Sequence, residues 1–224
     1  TQEDIASYHE NSPIGDEDGL MGYWKFNAGE GEVLYDHSGN HNHGIIHEAI
    51  WITNESTKHV SESGSDVLGN GSENNPYGSI QYAIDSSSDG DTILVSAGTY
   101  YENINFNEKN IAIIGQNRET TIIDGNDSGS VITINSTGQD ITQVIYIESL
   151  TIQNGHNTKG GGILFEPSIA NAMGSNLIVY NCTIKNNIAD DERNDGGGIF
   201  LNMINSALID SCVIENNIAD NNNG

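Results

Sequence analysis

The sequence predicts an all-β chain, dominated by a right-handed parallel β-helix, with a short N-terminal capping helix and a β-hairpin-like appendage before it. Three observations carry that prediction. The nonapeptide CTIKNNIAD at 182–190 returns thirty residues later as CVIENNIAD at 212–220. The tetrapeptide GGGI occurs at Gly160–Ile163 and again at Gly196–Ile199. Between these marks lie short apolar words separated by Asn, Gly and Asp, among them ILF at 163, LIVY at 177, IFL at 199 and ALI at 207. A fixed period of 20 to 50 residues is the signature of repeat architectures, whose units bury their apolar faces only against neighbours. Words this short, rich in β-branched residues and broken by turn formers, read as strands, because helices need longer runs with 3.6-residue periodicity.

The elements follow in order. Residues 1–18 are acidic, contain a proline and show no period, which predicts a flexible arm or a segment ordered by a partner. Residues 19–57 form an appendage of different composition, and 58–224 form the β-helix. Asn75 and Pro76 suit a helix N-cap and first turn. Ile80, Ala83 and Ile84 supply an apolar stripe, so a cap near 75–87 would cover the open strand edges of the first coil. Then come TILV at 92, INF at 104, IAII at 111, TII at 121, VITI at 131 and VIYI at 144, each fitting one face of a coil. LTIQNG at 150–155 reads as an earlier copy of the nonapeptide and places Ile152, Ile184 and Ile214 in equivalent positions. With about 4.8 Å between stacked coils, Cys182 and Ile184 point inward and Thr183 outward.

The turns carry their own signals. Asn accepts the left-handed backbone of a sharp turn, so Asn154, Asn186 and Asn216 are predicted to stack as a ladder. The triple glycines provide backbone geometry closed to residues with a Cβ; no Lys-Ser/Thr follows them, so a phosphate loop is the weaker reading. Cys182 and Cys212 occupy equivalent places on successive coils, where parallel side-chain vectors favour two buried thiols over a disulfide.

Two resemblances rest on these letters. IKNNIAD followed by GGGI resembles the paired repeats of polymorphic outer-membrane and related surface adhesins, with Ile184 where that family prefers Phe and Gly198 where it has Ala. The stretch from His59 through AGTYYENI to TIIDG resembles the opening coils of pectate-lyase-like right-handed β-helix proteins. Within the appendage, Tyr23, Trp24, Phe26, Asp36, Ser38, Gly39, Asn40 and Gly44 are similar to the start of laminin-G-like jelly rolls, although thirty-odd residues are too few for that fold. The resemblances imply secretion and a structural, adhesive or carbohydrate-directed role.

Composition narrows the partners. The 224 residues hold 32 acids against 7 bases, a formal charge of -25, which excludes nucleic acid and attraction to acidic polymers and favours cations. No stretch is long and apolar enough for a transmembrane helix, which fits an extracellular chain. Calcium, which takes six to eight oxygen ligands, is the expected cofactor. Its candidate ligands are Asp124, Asn126 and Asp127 in DGNDSG, and Asp190, Asp191 and Asp195 around DDERND; Asp66 and Glu73 mark a third loop. His37, His41, His43 and His47 form a weaker transition-metal candidate, with His41 and His43 facing one way if they lie on a strand. Sequons stand at Asn54, Asn70, Asn126, Asn135 and Asn181. No catalytic constellation emerges; Arg193 among the acids of DDERND is the nearest approach to the base-and-cation groove of a lyase. Because the letters stop in mid-repeat, self-association through open coil ends or through the N-terminal arm is expected, with polysaccharide the alternative partner.

Overall fold

A computed structural model describes residues 19–24, 33–45, 56–135, 144–166, 175–190 and 196–219. The chain divides into two compact units, 1–53 and 54–224. The larger unit is built of stacked parallel sheets, a solenoid-like arrangement in which each strand pairs with its counterpart one coil away. The first face stacks Thr57–Val60, Thr92–Val95, Ala112–Gly115, Val144–Glu148, Asn176–Tyr180 and Ser206–Asp210 in chain order. A second face stacks Gly98–Tyr101, Thr121–Asp124, Thr151–Gln153, Thr183–Lys185 and Val213–Glu215. A third face holds Ile104–Asn105, Ile132–Ile134, Ile163–Phe165 and Ile199–Leu201. In the later coils a short fourth sheet, His156–Asn157, Ile188–Ala189 and Ile218–Ala219, stands between the second and third faces.

The register explains the repeated letters. Ile152 pairs with Ile184 and Ile184 with Ile214, so the three isoleucines form one column. Strict alternation drives every second side chain inward: Ile145, Ile147, Leu177, Val179, Cys182 and Ile184 are buried, while Thr183 between the last two is only half-buried. Each fully buried isoleucine contributes roughly 1.5–3 kcal/mol over its exposed state, a gain made in full by Ile152 and Ile184, while Ile214 on the last described coil is half exposed. Both cysteines are free thiols; Cys182 is buried and Cys212 half-buried. Burial pushes the Cys182 thiol up to about 12.

The triple glycines are a steric requirement. A Cβ on Gly161 would stand 2.3 Å from the Ile188 carbonyl oxygen, and one on Gly162 would stand 2.4 Å from that of Gly198. Gly160 has φ +52°, in the left-handed region. The chains of neighbouring coils therefore pass where a side chain would sit.

The helix differs from the expectation in its start. Helix α1 runs Ile80–Asp85 and its N-cap is Ser79, not Asn75; the Ser79 hydroxyl accepts from the Tyr82 N–H. The competing demand is pairing: Tyr77 N–H donates to the His59 carbonyl and Ser61 N–H to that of Tyr77, which holds 75–77 extended beside Thr57–Val60. The apolar stripe is as expected, with Ile80, Ala83 and Ile84 fully buried. Asp66 accepts from the Gly78 and Ser79 N–H groups, and Glu102 from those of Ile80 and Gln81, so two carboxylates satisfy donors around the start of α1. Lys109 Nζ donates to the Ile84 and Asp85 carbonyls at its other end.

In the smaller unit Val33–Leu34 pairs antiparallel with Gly44–Ile45. The motif DHSGNHN between them is a knot of hydrogen bonds around Asp36, whose carboxylate accepts from the N–H groups of Tyr23, Ser38 and Asn42 and from the Ser38 hydroxyl. Burial opposes the charge on Asp36, but these four donors outweigh it and hold the carboxyl well below the usual carboxylate range. Trp24 Nε1 donates to the Asn42 carbonyl, and Asn40 Nδ2 to that of Leu20. Residues 41–43 lie outside any strand, and His43 Nδ1 accepts from the Asp36 N–H, so the His41 and His43 alternation expected of a strand is absent.

Candidate functional site

Asp124, Asn126, Asp127, Asn154 and Asn186, picked from the sequence as calcium or ladder residues, converge on one flank of the larger unit, at the turn that follows the second face. A groove of about 470 Å³ lies there. Tyr101 and Asp124, register partners on adjacent strands, line it, and the turn residues Asn126 and Asp127 extend it. Asn154 and Asn186 from the next two coils continue its wall, with Ile188 on the fourth sheet.

Local sequence explains the arrangement. Asn126, Asp127, Asn154, Asn186 and Asn216 all hold φ between 50° and 56°, a region that Asn and Asp tolerate better than other non-glycine residues. Asn154 also bonds across coils, to Asp124, but in the two coils that carry an NN pair the side chains that hydrogen-bond between coils sit one residue farther on. Asn187 is fully buried; its Nδ2 donates to the Ile152 carbonyl at 3.1 Å and to Asn217 Oδ1 at 2.9 Å, and its Oδ1 accepts from the Gly155 N–H at 2.9 Å. Asn217 Nδ2 repeats the pattern by donating to the Ile184 carbonyl. Each NN pair thus divides its labour, the first asparagine bending the chain at the surface and the second bonding one coil to another inside.

Asp124 is buried and heavily bonded. Its Oδ1 accepts from the Asn126 N–H, and its Oδ2 from Gln153 Nε2 at 2.7 Å and Asn154 Nδ2 at 2.8 Å. That carboxylate ties its own coil to the next. Asp127 is the exposed acid of the groove, and it meets a residue the sequence reading did not select: His156 Nδ1 lies 3.1 Å from Asp127 Oδ1, and His156 Nε2 lies 3.3 Å from Asp190 Oδ2. His156 links the calcium candidates of two loops across three successive coils. Asp191 and Asp195, with Arg193, lie outside the described residues, as do the arm at 1–18, Phe26 and His47. Among the described residues no group of three or more His, Cys, Asp or Glu side chains is placed to hold a metal ion.

Tyr101 also escaped the sequence reading. Alternation was its signal: in TYYE, Tyr100 is buried, so Tyr101 points out, and it is 70% exposed. Its hydroxyl and the side-chain amides of Asn126 and Asn186 make no hydrogen bond to another described residue, and so face solvent in the groove.

Three of the chain's seven bases serve architecture. Lys109 caps α1, Lys159 Nζ pairs with Glu166 Oε1 at 2.6 Å, and Arg118 Nη1 donates to the Ser211 carbonyl. A larger cleft of about 690 Å³ lies against the first face, floored by Leu94 and Ile114 and rimmed by His59, Ser61 and Glu73. No protein-family model matches the chain, and no curated protein matches it. No helix among the described residues is long and apolar enough to cross a membrane.

Proposed function

We propose that this chain is a secreted structural or adhesive protein, a right-handed β-helix of the pectate-lyase-like type whose lateral surface binds without chemistry. The observation that carries the reading is the use made of the repeated letters. The positions that recur between coils are spent on the inner column (Ile184, Ile214), the coil-to-coil amides (Asn187, Asn217) and the outer turn (Asn186, Asn216), which is how a rod is built.

The treatment of the first coil supports the same reading. Gln81 Nε2 donates to the Asn105 carbonyl and its Oε1 accepts from the Asn105 N–H at 2.7 Å, so one side-chain amide stands in for a missing strand on the third face. Glu62 Oε1 accepts from the Thr99 N–H on the second face, and the 69–77 backbone bonds to His59 and Ser61 on the first. Helix α1 and its loop act in this reading as an end cap that blocks strand addition. Self-association through the first coil is blocked in this reading, which leaves the opposite end of the stack and the acidic arm at 1–18 as its candidates.

The test is incubation with pectate, alginate and neutral plant polysaccharides, with and without Ca²⁺, assayed for unsaturated uronides and new reducing ends. No product is expected. Turnover on any of these polymers would overturn the non-catalytic reading and favour a lyase or hydrolase.

A further inference from the structure

The geometry points to a ligand class for the flank groove: a neutral, extended polysaccharide lying parallel to the solenoid axis. This inference rests on the adhesive reading and gives it a partner.

Four features lead there. The groove is polar and open and spans four coils, from Tyr101 to Asn186, so a small compact ligand would use only part of it. Its hydrogen-bonding groups recur along the axis: Asn154 and Asn186 occupy equivalent turn positions one coil apart, and Asn216 continues the row. Stacked parallel strands are about 4.8 Å apart, close to the length of one sugar ring in an extended glycan, so successive rings would meet successive turns, where the Asn126 and Asn186 amides are free among the described residues and the Asn154 amide is bonded to Asp124.

The chemistry suits hydroxyl groups. An amide both donates and accepts, as a hydroxyl does, and the exposed Asn126 and Asn186 amides are not committed to other described side chains. Tyr101 adds a flat, exposed ring at one end, able to cover the apolar face of a sugar, and Ile188 adds an apolar contact beyond the turn. The charge settles which glycan. Asp127 stands on the wall, Asp190 flanks it beside His156, and the chain as a whole carries a formal charge of -25, so uronic-acid or sulfated polymers are repelled where neutral ones are not.

The experiment is native affinity electrophoresis of the full chain in gels cast with hydroxyethylcellulose, arabinoxylan or galactomannan, with polygalacturonate as the anionic comparison. Retardation is expected in at least one neutral gel and none in polygalacturonate. Tyr101→Ala should weaken the retained affinity by about tenfold or more, as truncation of an aromatic anchor does. Asn186→Gly keeps the left-handed turn while deleting the amide, and should weaken it several-fold. Tyr82→Ala, on α1, should leave it unchanged, and urea midpoints verify that each variant is folded. Absence of retardation in every neutral gel, preference for polygalacturonate, or full affinity in both groove variants overturns the assignment. Release of reducing ends from a retained glycan would instead overturn the non-catalytic reading and leave the groove standing.

Discussion

Asn186 and Asn187 are the same amino acid in adjacent positions, yet the structure assigns them costs that differ by a predictable amount. Asn187→Ala removes three hydrogen bonds, to the Ile152 carbonyl, to Asn217 Oδ1 and from the Gly155 N–H, and leaves the buried Gly155 N–H without that acceptor. At about 1 kcal/mol per net bond the three bonds put the loss at about 3 kcal/mol. Asn186→Ala removes an exposed side chain and leaves alanine at φ 56°, which costs about 1 kcal/mol of backbone strain. Asn186→Gly should cost little or nothing, since glycine adopts that region freely. The folding equilibrium should therefore fall roughly 100-fold for Asn187→Ala and less than tenfold for Asn186→Ala. Urea unfolding followed by far-UV circular dichroism measures all three, with the slope of each transition checked for loss of cooperativity. If Asn187→Ala proves no more damaging than Asn186→Ala, the inner amide is not what binds the coils together, and the division of labour within each NN pair is wrong.

Three further outcomes follow from the described contacts. Cys182, buried and with its thiol pushed up to about 12, should resist iodoacetamide at pH 8 in the folded protein and react after denaturation; peptide mapping reads this, and native labelling of Cys182 would contradict its place in the inner column. Gln81→Ala should expose the Asn105 N–H at the edge of the third face, so hydrogen exchange at Asn105 should accelerate at least tenfold while Ile145 and Ile147 in the later coils stay protected; unchanged exchange would remove the surrogate-strand role. Glu102 titrates above the ordinary glutamate value because burial disfavours its charge, with Asp66 adding repulsion, against the hydrogen bonds from Gln81 and Ile80. The folded chain thus holds that proton more tightly than the unfolded one. The associated stability is present below pH 4.5 and is lost as pH rises through the raised folded value; Glu102→Gln should flatten that fall in urea midpoints, and an unchanged slope would refute the assignment.

What was legible in the sequence was whatever repeats. The column Ile152, Ile184, Ile214 could be placed because each letter is copied at the next coil, and the copies do pair in register. The apolar stripe of α1 was legible from spacing, but its start was not. Asn75-Pro76 is a strong local cap signal, and it lost to a non-local one, the pairing of Tyr77 with His59 across the first strand. The inner amide pair was half visible: the sequence pointed to a ladder at Asn154, Asn186 and Asn216, whereas in the NN pairs the amides that bond between coils are those of Asn187 and Asn217, because nothing in two identical letters says which faces in. Alternation decides it, since Ile184 is inside and an odd number of steps then carries Asn187 to the interior by way of the left-handed turn at Asn186.

The groove was harder to see because its distinctive members do not repeat. Tyr101 stacks on Asp124, Asp124 on Gln153 and Gln153 on Lys185, so one register column changes chemistry at every step. His156 stacks on Ile188, and Ile188 on Ile218. In a solenoid, a residue copied from coil to coil is under the constraint of stacking, which is the same at every level. A residue that departs from its column is released from that constraint, and its identity must be accounted for by something local. Asp124 accounts for itself by bonding Gln153 and Asn154, and His156 by reaching Asp127 and Asp190. Tyr101 has no such partner among the described residues: a large ring, 70% exposed at the mouth of a groove, does nothing there for the coil that carries it. That is why the glycan experiment turns on Tyr101, the groove residue whose removal should leave the rod intact and change only what the rod holds.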